Sequence, residues 1–238
     1  MLRLLPMSLC ALALGLVACG EDEVRVTPEP GVDGQVATEP PRDSGVARSP
    51  GPRCAKVEAP PPKPDGGATP PEGRLDPGKT YEVVLRTSCG PIRIELGPGF
   101  APKATASFAH LARTGFYDNT IFHRIVPGFV IQGGDPTGNG TGGPGYSTRD
   151  TVPSDLTYLA GAVAMAKTEA QRPGTAGSQF FIVIPTDSGL ESDFAPVGRV
   201  VRGQDVVQAI EQLGNRASGE AGTPRRPVVL HSARLVVR

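Results

Sequence analysis

FHRIVPGFVIQGGD, residues 122–135, sets Arg124, Gln132 and the rings of Phe122 and Phe129 into a span whose alternation of apolar and polar side chains predicts a β-hairpin. A second apolar run, SQFFIVI from Ser178 to Ile184, adds Gln179 together with Phe180 and Phe181. One guanidinium, two amides and several aromatic rings suit a site that grips an uncharged, partly apolar substrate. Neither run carries a nucleophile paired with a base, or a cluster of metal-ligating side chains.

Working outward, residues 81–87 and 92–96 alternate around the turn Ser88-Cys89-Gly90-Pro91 and predict an opening hairpin. Pro102 then begins a helix in which Ala104, Phe108, Leu111 and Ala112 recur at helical spacing, with Gly115 as its stop. Short strands are predicted at 121–126, 129–132, 162–166, 179–184, 196–201 and 228–237, and a second helix at 205–213 closed by Gly214. Many short strands divided by glycine-rich turns predict a mainly β barrel or sandwich, with two helices outside it or capping its ends.

Several familiar chemistries are excluded. His110, His123 and His231 are far apart and no HExxH occurs, so no zinc site is expected. Gly138 to Gly143 matches GxGxxG by letter, but no helix pattern follows it, and these glycines read as loop formers. Ser178 lacks the surroundings of a hydrolase nucleophile. Twenty-four basic residues balance twenty-four acidic ones, which gives no reason to expect a nucleic-acid partner.

The chain begins with Arg3 and an apolar run from Leu4 to Ala18, too short for an ordinary membrane span, which predicts a secretory signal over 1–18. Its end, Leu16-Val17-Ala18-Cys19-Gly20, resembles the lipobox of bacterial lipoproteins. That resemblance implies lipidation of Cys19 and a protein anchored on a membrane of the bacterial cell envelope, facing the periplasm or the exterior. Residues 19–78 are rich in proline and glycine and poor in large apolar side chains, which predicts a disordered tether. Within it, PPPKP at 60–64 could instead dock in a partner's aromatic groove. Residues 79–238 are long enough for one domain with its own core. With Cys10 lost in the signal and Cys19 lipidated, Cys54 and Cys89 are left as a disulfide candidate or as two free thiols.

Five motifs together carry a further resemblance. FHRIVPGFVIQGGD, NGTGG at 139–143, AMA at 164–166, GSQFFI at 177–182 and VGRVVRGQDVV at 197–207 resemble, in order and spacing, a cyclophilin-type peptidyl-prolyl cis-trans isomerase across residues 79–238. The resemblance implies an eight-stranded antiparallel closed barrel capped by two α-helices, with the substrate groove on its outer face. It implies Arg124 and Gln132 as catalytic residues, and Phe129, Val130, Ala166, Lys167, Gln179, Phe181, Leu190 and Phe194 as substrate-binding residues. Phe122 and Phe180 alternate with these and fall to the core, and His123 is expected to support its strand. The implied activity is isomerisation of X-Pro bonds in exported or envelope proteins by a monomer that uses no cofactor or metal. The alternatives are a module of the same fold that binds proline-bearing segments or acts as a chaperone with little turnover, and a purely structural lipoprotein. Departures from the familiar pattern are Lys167 in place of an asparagine, Gly189 in place of a tryptophan, Phe194 in place of a histidine and Val197 in place of a phenylalanine. These predict an apolar but reshaped pocket and put tight cyclosporin binding in doubt.

Overall fold

Alternation along the opening hairpin sends Val83, Leu85, Ile92 and Ile94 inward, where all four are fully buried. They belong to β1 (Tyr81–Thr87) and β2 (Gly90–Leu96), and they begin the main core of a computed structural model that describes residues 51–238. The predicted signal segment, Cys19 and the first part of the tether lie outside the described residues. After α1 (Pro102–Arg113) come β3 (Thr120–Ile121), β4 (Arg124–Val126), β5 (Val130–Gly133), β6 (Thr148–Arg149) and β7 (Ala162–Met165). They are followed by β8 (Thr175–Ala176), β9 (Phe180–Val183), β10 (Ala195–Arg202), α2 (Gln204–Glu211), a 3₁₀ segment (Arg216–Ala221) and β11 (Val229–Val237). Among the described residues no helix is long and apolar enough to cross a membrane.

Nine of these strands form one antiparallel sheet in the order β3-β11-β1-β2-β10-β7-β9-β5-β4. Its two edges are consecutive in the chain. The span expected as one strand at 121–126 is divided at Phe122 and His123: β3 pairs with β11, and β4 pairs with β5. Counted as one bent segment, β3 and β4 bring the sheet to the eight strands expected. The ladder is interrupted at that bend, so the sheet curls round until its edges meet in a single stretch of chain. β6 and β8 pair separately in a small second sheet that the alternation pattern did not reveal.

Alpha-helix α1 packs its alanine-rich face, with Phe108 and Leu111, into the core. Its N-terminal amides are satisfied from a distance: Lys103 N and Ala104 N donate to the Asp150 carboxylate at 3.1 and 2.8 Å. Phe122 and Phe180 are buried in the same core, as their alternation predicts.

The expected tether differs over 51–78, where the chain lies as a strap along the domain. Ala55 N donates to Ser88 O, Lys63 N to Pro136 O, Gly66 N to Gly143 O and Ala68 N to Pro144 O, all at 2.8–3.0 Å. Cys54 and Cys89 are joined by a disulfide, and Cys54, Ala68 and Leu75 pack against the core. Within PPPKP, Lys63 Nζ donates to the carbonyls of Phe116 and Asp118. Backbone groups and a covalent bond supply what the segment's composition lacks in apolar surface.

Candidate active site

Strands β4 and β5 place the two polar residues of the opening motif opposite one another, Arg124 against Gln132. The turn between these strands, Val126-Pro127-Gly128-Phe129, is closed by Phe129 N donating to Val126 O at 3.0 Å. Proline fixes the first corner, and Gly128 takes the positive φ of 79° at the second. Strand β9 lies beside β5 with Phe181 opposite Gln132, and β7 follows with Ala164 opposite Phe181. Arg124, Gln132, Phe181 and Ala164 are therefore cross-strand neighbours on the outer face of four adjacent strands.

The polar groups form a connected row. Arg124 Nη1 donates to Gln132 Oε1 at 3.3 Å, and Gln132 Nε2 donates to Gln179 Oε1 at 3.0 Å. Gln179 Nε2 donates in turn to the carbonyls of Gly140 and Gly142, both at 2.9 Å. At the other end, Arg124 Nε donates to Glu220 O at 2.8 Å, and the guanidinium lies 5.9 Å from the centre of the Phe129 ring. Partial burial lowers the arginine's pKa and the charge of Glu220 opposes this, but a guanidinium stays protonated throughout the working range. Two of its nitrogens are thus fixed by the protein, while Nη2 has no hydrogen-bond partner among the described residues.

Next to this row is an apolar patch separate from the main core. Val130, Tyr158, Ala164, Phe181 and Val183 are its buried members, and Phe129, Ala166, Leu190 and Phe194 pack partly exposed around them. Strand β9 alternates between the two clusters: Phe180 and Ile182 point into the main core, Phe181 and Val183 into the patch. The rings of Phe181 and Phe194 meet edge to face at 5.2 Å. All the apolar residues that the family resemblance assigns to substrate are therefore gathered here. Lys167, expected among the substrate-binding residues, also turns its side chain to this patch. Its side chain is only 6 % exposed, its ammonium pairs with Asp193 at 2.9 Å and lies 5.5 Å from the Phe194 ring centre.

Three supports were not read from the sequence. Tyr158 donates to Phe194 O at 2.5 Å and accepts from Phe194 N at 3.0 Å, so one hydroxyl fixes the backbone of a pocket ring. Burial pushes its phenol up to about 12, and the hydrogen bond accepted from Phe194 N opposes the rise. Gly222, at φ 60°, follows the 3₁₀ segment and lies so close that a Cβ there would meet Arg124 Cγ at 2.8 Å. Its carbonyl also accepts from Ile125 N at 2.6 Å. Asp135 is fully buried beneath the 136–143 loop and accepts from Thr137 N, Thr137 Oγ1 and Gly140 N. Burial acts to raise its pKa, but these bonds outweigh burial and hold the carboxyl below its ordinary value.

His123 supports no proton-transfer role. Its ring nitrogens are buried without partners among the described residues, and burial lowers its pKa against the pull of Asp135. Among the described residues no three His, Cys, Asp or Glu side chains are gathered as metal ligands would be. The disulfide lies on the β1–β2 turn, apart from this row of polar groups.

Comparison with known proteins gives a family match and several similar chains. The family model for cyclophilin type peptidyl-prolyl cis-trans isomerases matches residues 82–235. A peptidyl-prolyl cis-trans isomerase of Arabidopsis thaliana is 37 % identical over 163 residues, covering 67 % of this chain and 96 % of its own. Another, from Schizosaccharomyces pombe, is 46 % identical over 155 residues, covering 63 % of this chain and 96 % of its own. Among solved structures, a cyclophilin type isomerase of Cryptosporidium parvum, crystallised in the presence of the dipeptide Ala-Pro, superposes with a TM-score of 0.59 at 31 % identity. That match covers 65 % of this chain and 98 % of the other.

Proposed function

This chain belongs to the cyclophilin-type peptidyl-prolyl cis-trans isomerase family, and we propose that it accelerates rotation about X-Pro bonds in exported proteins while anchored by lipid in a bacterial cell envelope. The observation that carries the catalytic part is the row Arg124–Gln132–Gln179 beside an apolar patch walled by Phe129, Phe181 and Phe194.

Rotation about an X-Pro bond faces a barrier of roughly 18–20 kcal/mol, because the nitrogen lone pair is delocalised into the carbonyl. Any group that localises the lone pair on nitrogen lowers that barrier. The proline ring sits in the patch, and Arg124 presents its unpartnered Nη2 to the prolyl nitrogen as it pyramidalises. A hydrogen bond to that nitrogen strengthens as the amide twists, so it favours the transition state over either planar isomer. Gln132 holds the fork in that direction, and Gln179 orients Gln132 and the substrate backbone. Apolar walls exclude water that would otherwise stabilise the planar, polar amide. No bond is broken and no proton changes place, so this step needs no general base.

The full-length chain should accelerate cis-trans exchange of a proline tetrapeptide, and Arg124→Ala should lower the rate by about a hundredfold or more with the fold retained. Equal rates for the two proteins would overturn the assignment. A tight cyclosporin complex is not expected, since no tryptophan is present in the chain.

The cellular setting rests on the sequence of residues 1–20, with the Cys54–Cys89 disulfide in support, because such bonds persist in oxidising compartments. Two or three acyl chains on Cys19, each buried CH₂ contributing about 0.8 kcal/mol, hold the protein at a membrane surface without a spanning helix. There it acts as a monomer on proline-bearing segments of folding proteins. Growth with a radioactive fatty acid labels the protein if Cys19 is lipidated; an unlabelled protein, or a Cys19→Ser variant labelled equally, refutes the anchor.

A further inference from the structure

We infer that the strap at 54–68 is a positioning element for the substrate-binding amides, and that Asp65 is the side chain through which it acts. This rests on the isomerase assignment above and concerns chain that lies outside the family match, which begins at residue 82.

The loop between Asp135 and Gly145 supplies both carbonyls that hold the Gln179 amide, those of Gly140 and Gly142. Glycines occupy 138, 140, 142 and 143, so the loop has little stiffness of its own. From inside the domain it is fixed by the Asp135 carboxylate on Gly140 N. From outside it is fixed by the strap, which takes both backbone groups of Gly143: Gly143 N donates to Asp65 Oδ1 at 2.8 Å, and Gly143 O accepts from Gly66 N at 3.0 Å. Bonds from Lys63 N to Pro136 O and from Ala68 N to Pro144 O pin the loop on either side of that clamp.

Contact between the two segments is at backbone distance. A Cβ on Gly145 would stand 3.1 Å from Gly66 Cα and 3.2 Å from Gly67 N, so glycine faces glycine where strap and loop cross. The strap is itself held at two further points, by the disulfide at Cys54 and by Lys63 Nζ on the carbonyls of Phe116 and Asp118. A path of hydrogen bonds, joined by the one peptide link between Gly143 and Gly142, therefore runs from Asp65 to Gln179, Gln132 and Arg124. Asp65 lies on the surface and outside the pocket, so it acts through Gln179 and not on substrate.

Gln179 holds the substrate backbone in both planar and twisted states, so loosening it removes binding common to both and raises KM more than it lowers kcat. In the full-length chain, Asp65→Ala combined with Gly66→Val should raise KM for a proline tetrapeptide about threefold to tenfold, the range expected for one or two hydrogen bonds, with kcat within about twofold. The side-chain amide signals of Gln179 in a nitrogen-15 spectrum should move in the same variant. Asp65→Asn alone keeps an oxygen acceptor for Gly143 N and should leave both readouts at their wild-type values. Wild-type KM and unmoved Gln179 signals in the double variant, with Arg124→Ala still inactive, would overturn the strap's role alone. Should wild type and Arg124→Ala prove equally slow, the isomerase assignment fails, and the Gln179 signals then decide the strap: movement upholds its positioning role and no movement ends it.

Discussion

Arg124 takes its direction from a carbonyl nearly a hundred residues further along the chain, that of Glu220, and from the empty space over Gly222. Replacing Gly222 by valine would force a β-branched residue to φ 60° and press its Cβ on Arg124 Cγ. We expect Gly222→Val to lower the unfolding free energy by about 1–3 kcal/mol and to slow isomerisation by turning the guanidinium aside. In an Arg124→Ala background the same substitution should cost stability and no further activity. Additive losses of rate would show that Gly222 acts elsewhere. Nothing in the sequence around Gly222, a short polar run, points to this contact. Arg124, Gln132 and Phe129 were legible because they share one motif within a hairpin. Tyr158 was not, since it stands in a loop without periodicity and works by bonding the backbone of Phe194.

At the scale of elements, alternation revealed β1, β2, β5, β7, β9, β10 and β11 to within a few residues, because each buries one face in the main core. It did not reveal the bend at Phe122 and His123, where Phe122 stays buried in the core while Phe122 N turns to bond Val228 O. The strap was illegible for a different reason. Its attachments are main-chain hydrogen bonds, which leave no side-chain pattern, and its proline content reads as a disordered tether. The disulfide is the exception, since two unassigned cysteines named the pair that joins strap to hairpin. With its ends at a sequence separation of 35, that cross-link should contribute about 2–4 kcal/mol by restricting the unfolded chain. Unfolding in denaturant should therefore shift to lower concentration when reductant is added, and a Cys54→Ser, Cys89→Ser double variant should show the shift without reductant. Coincident curves for oxidised and reduced protein would contradict this.

Across the whole molecule, one curled sheet serves two apolar environments. Its inner face closes on the main core; its outer face, over β4, β5, β9 and β7, carries the smaller patch beside Arg124. The strand register that closes the core therefore also fixes which side chains stand together in the site. Charge alone would not perform the proposed step, because the guanidinium must bond Gln132 and Glu220 and still aim Nη2 at the prolyl nitrogen. The most direct measurement is therefore the exchange rate of an Ala-Pro tetrapeptide with the full-length protein and its Arg124→Lys variant, followed at saturating substrate. An ammonium keeps the charge and loses the fork, so the rate should fall to near that of Arg124→Ala. A lysine variant as fast as the wild type would contradict the account.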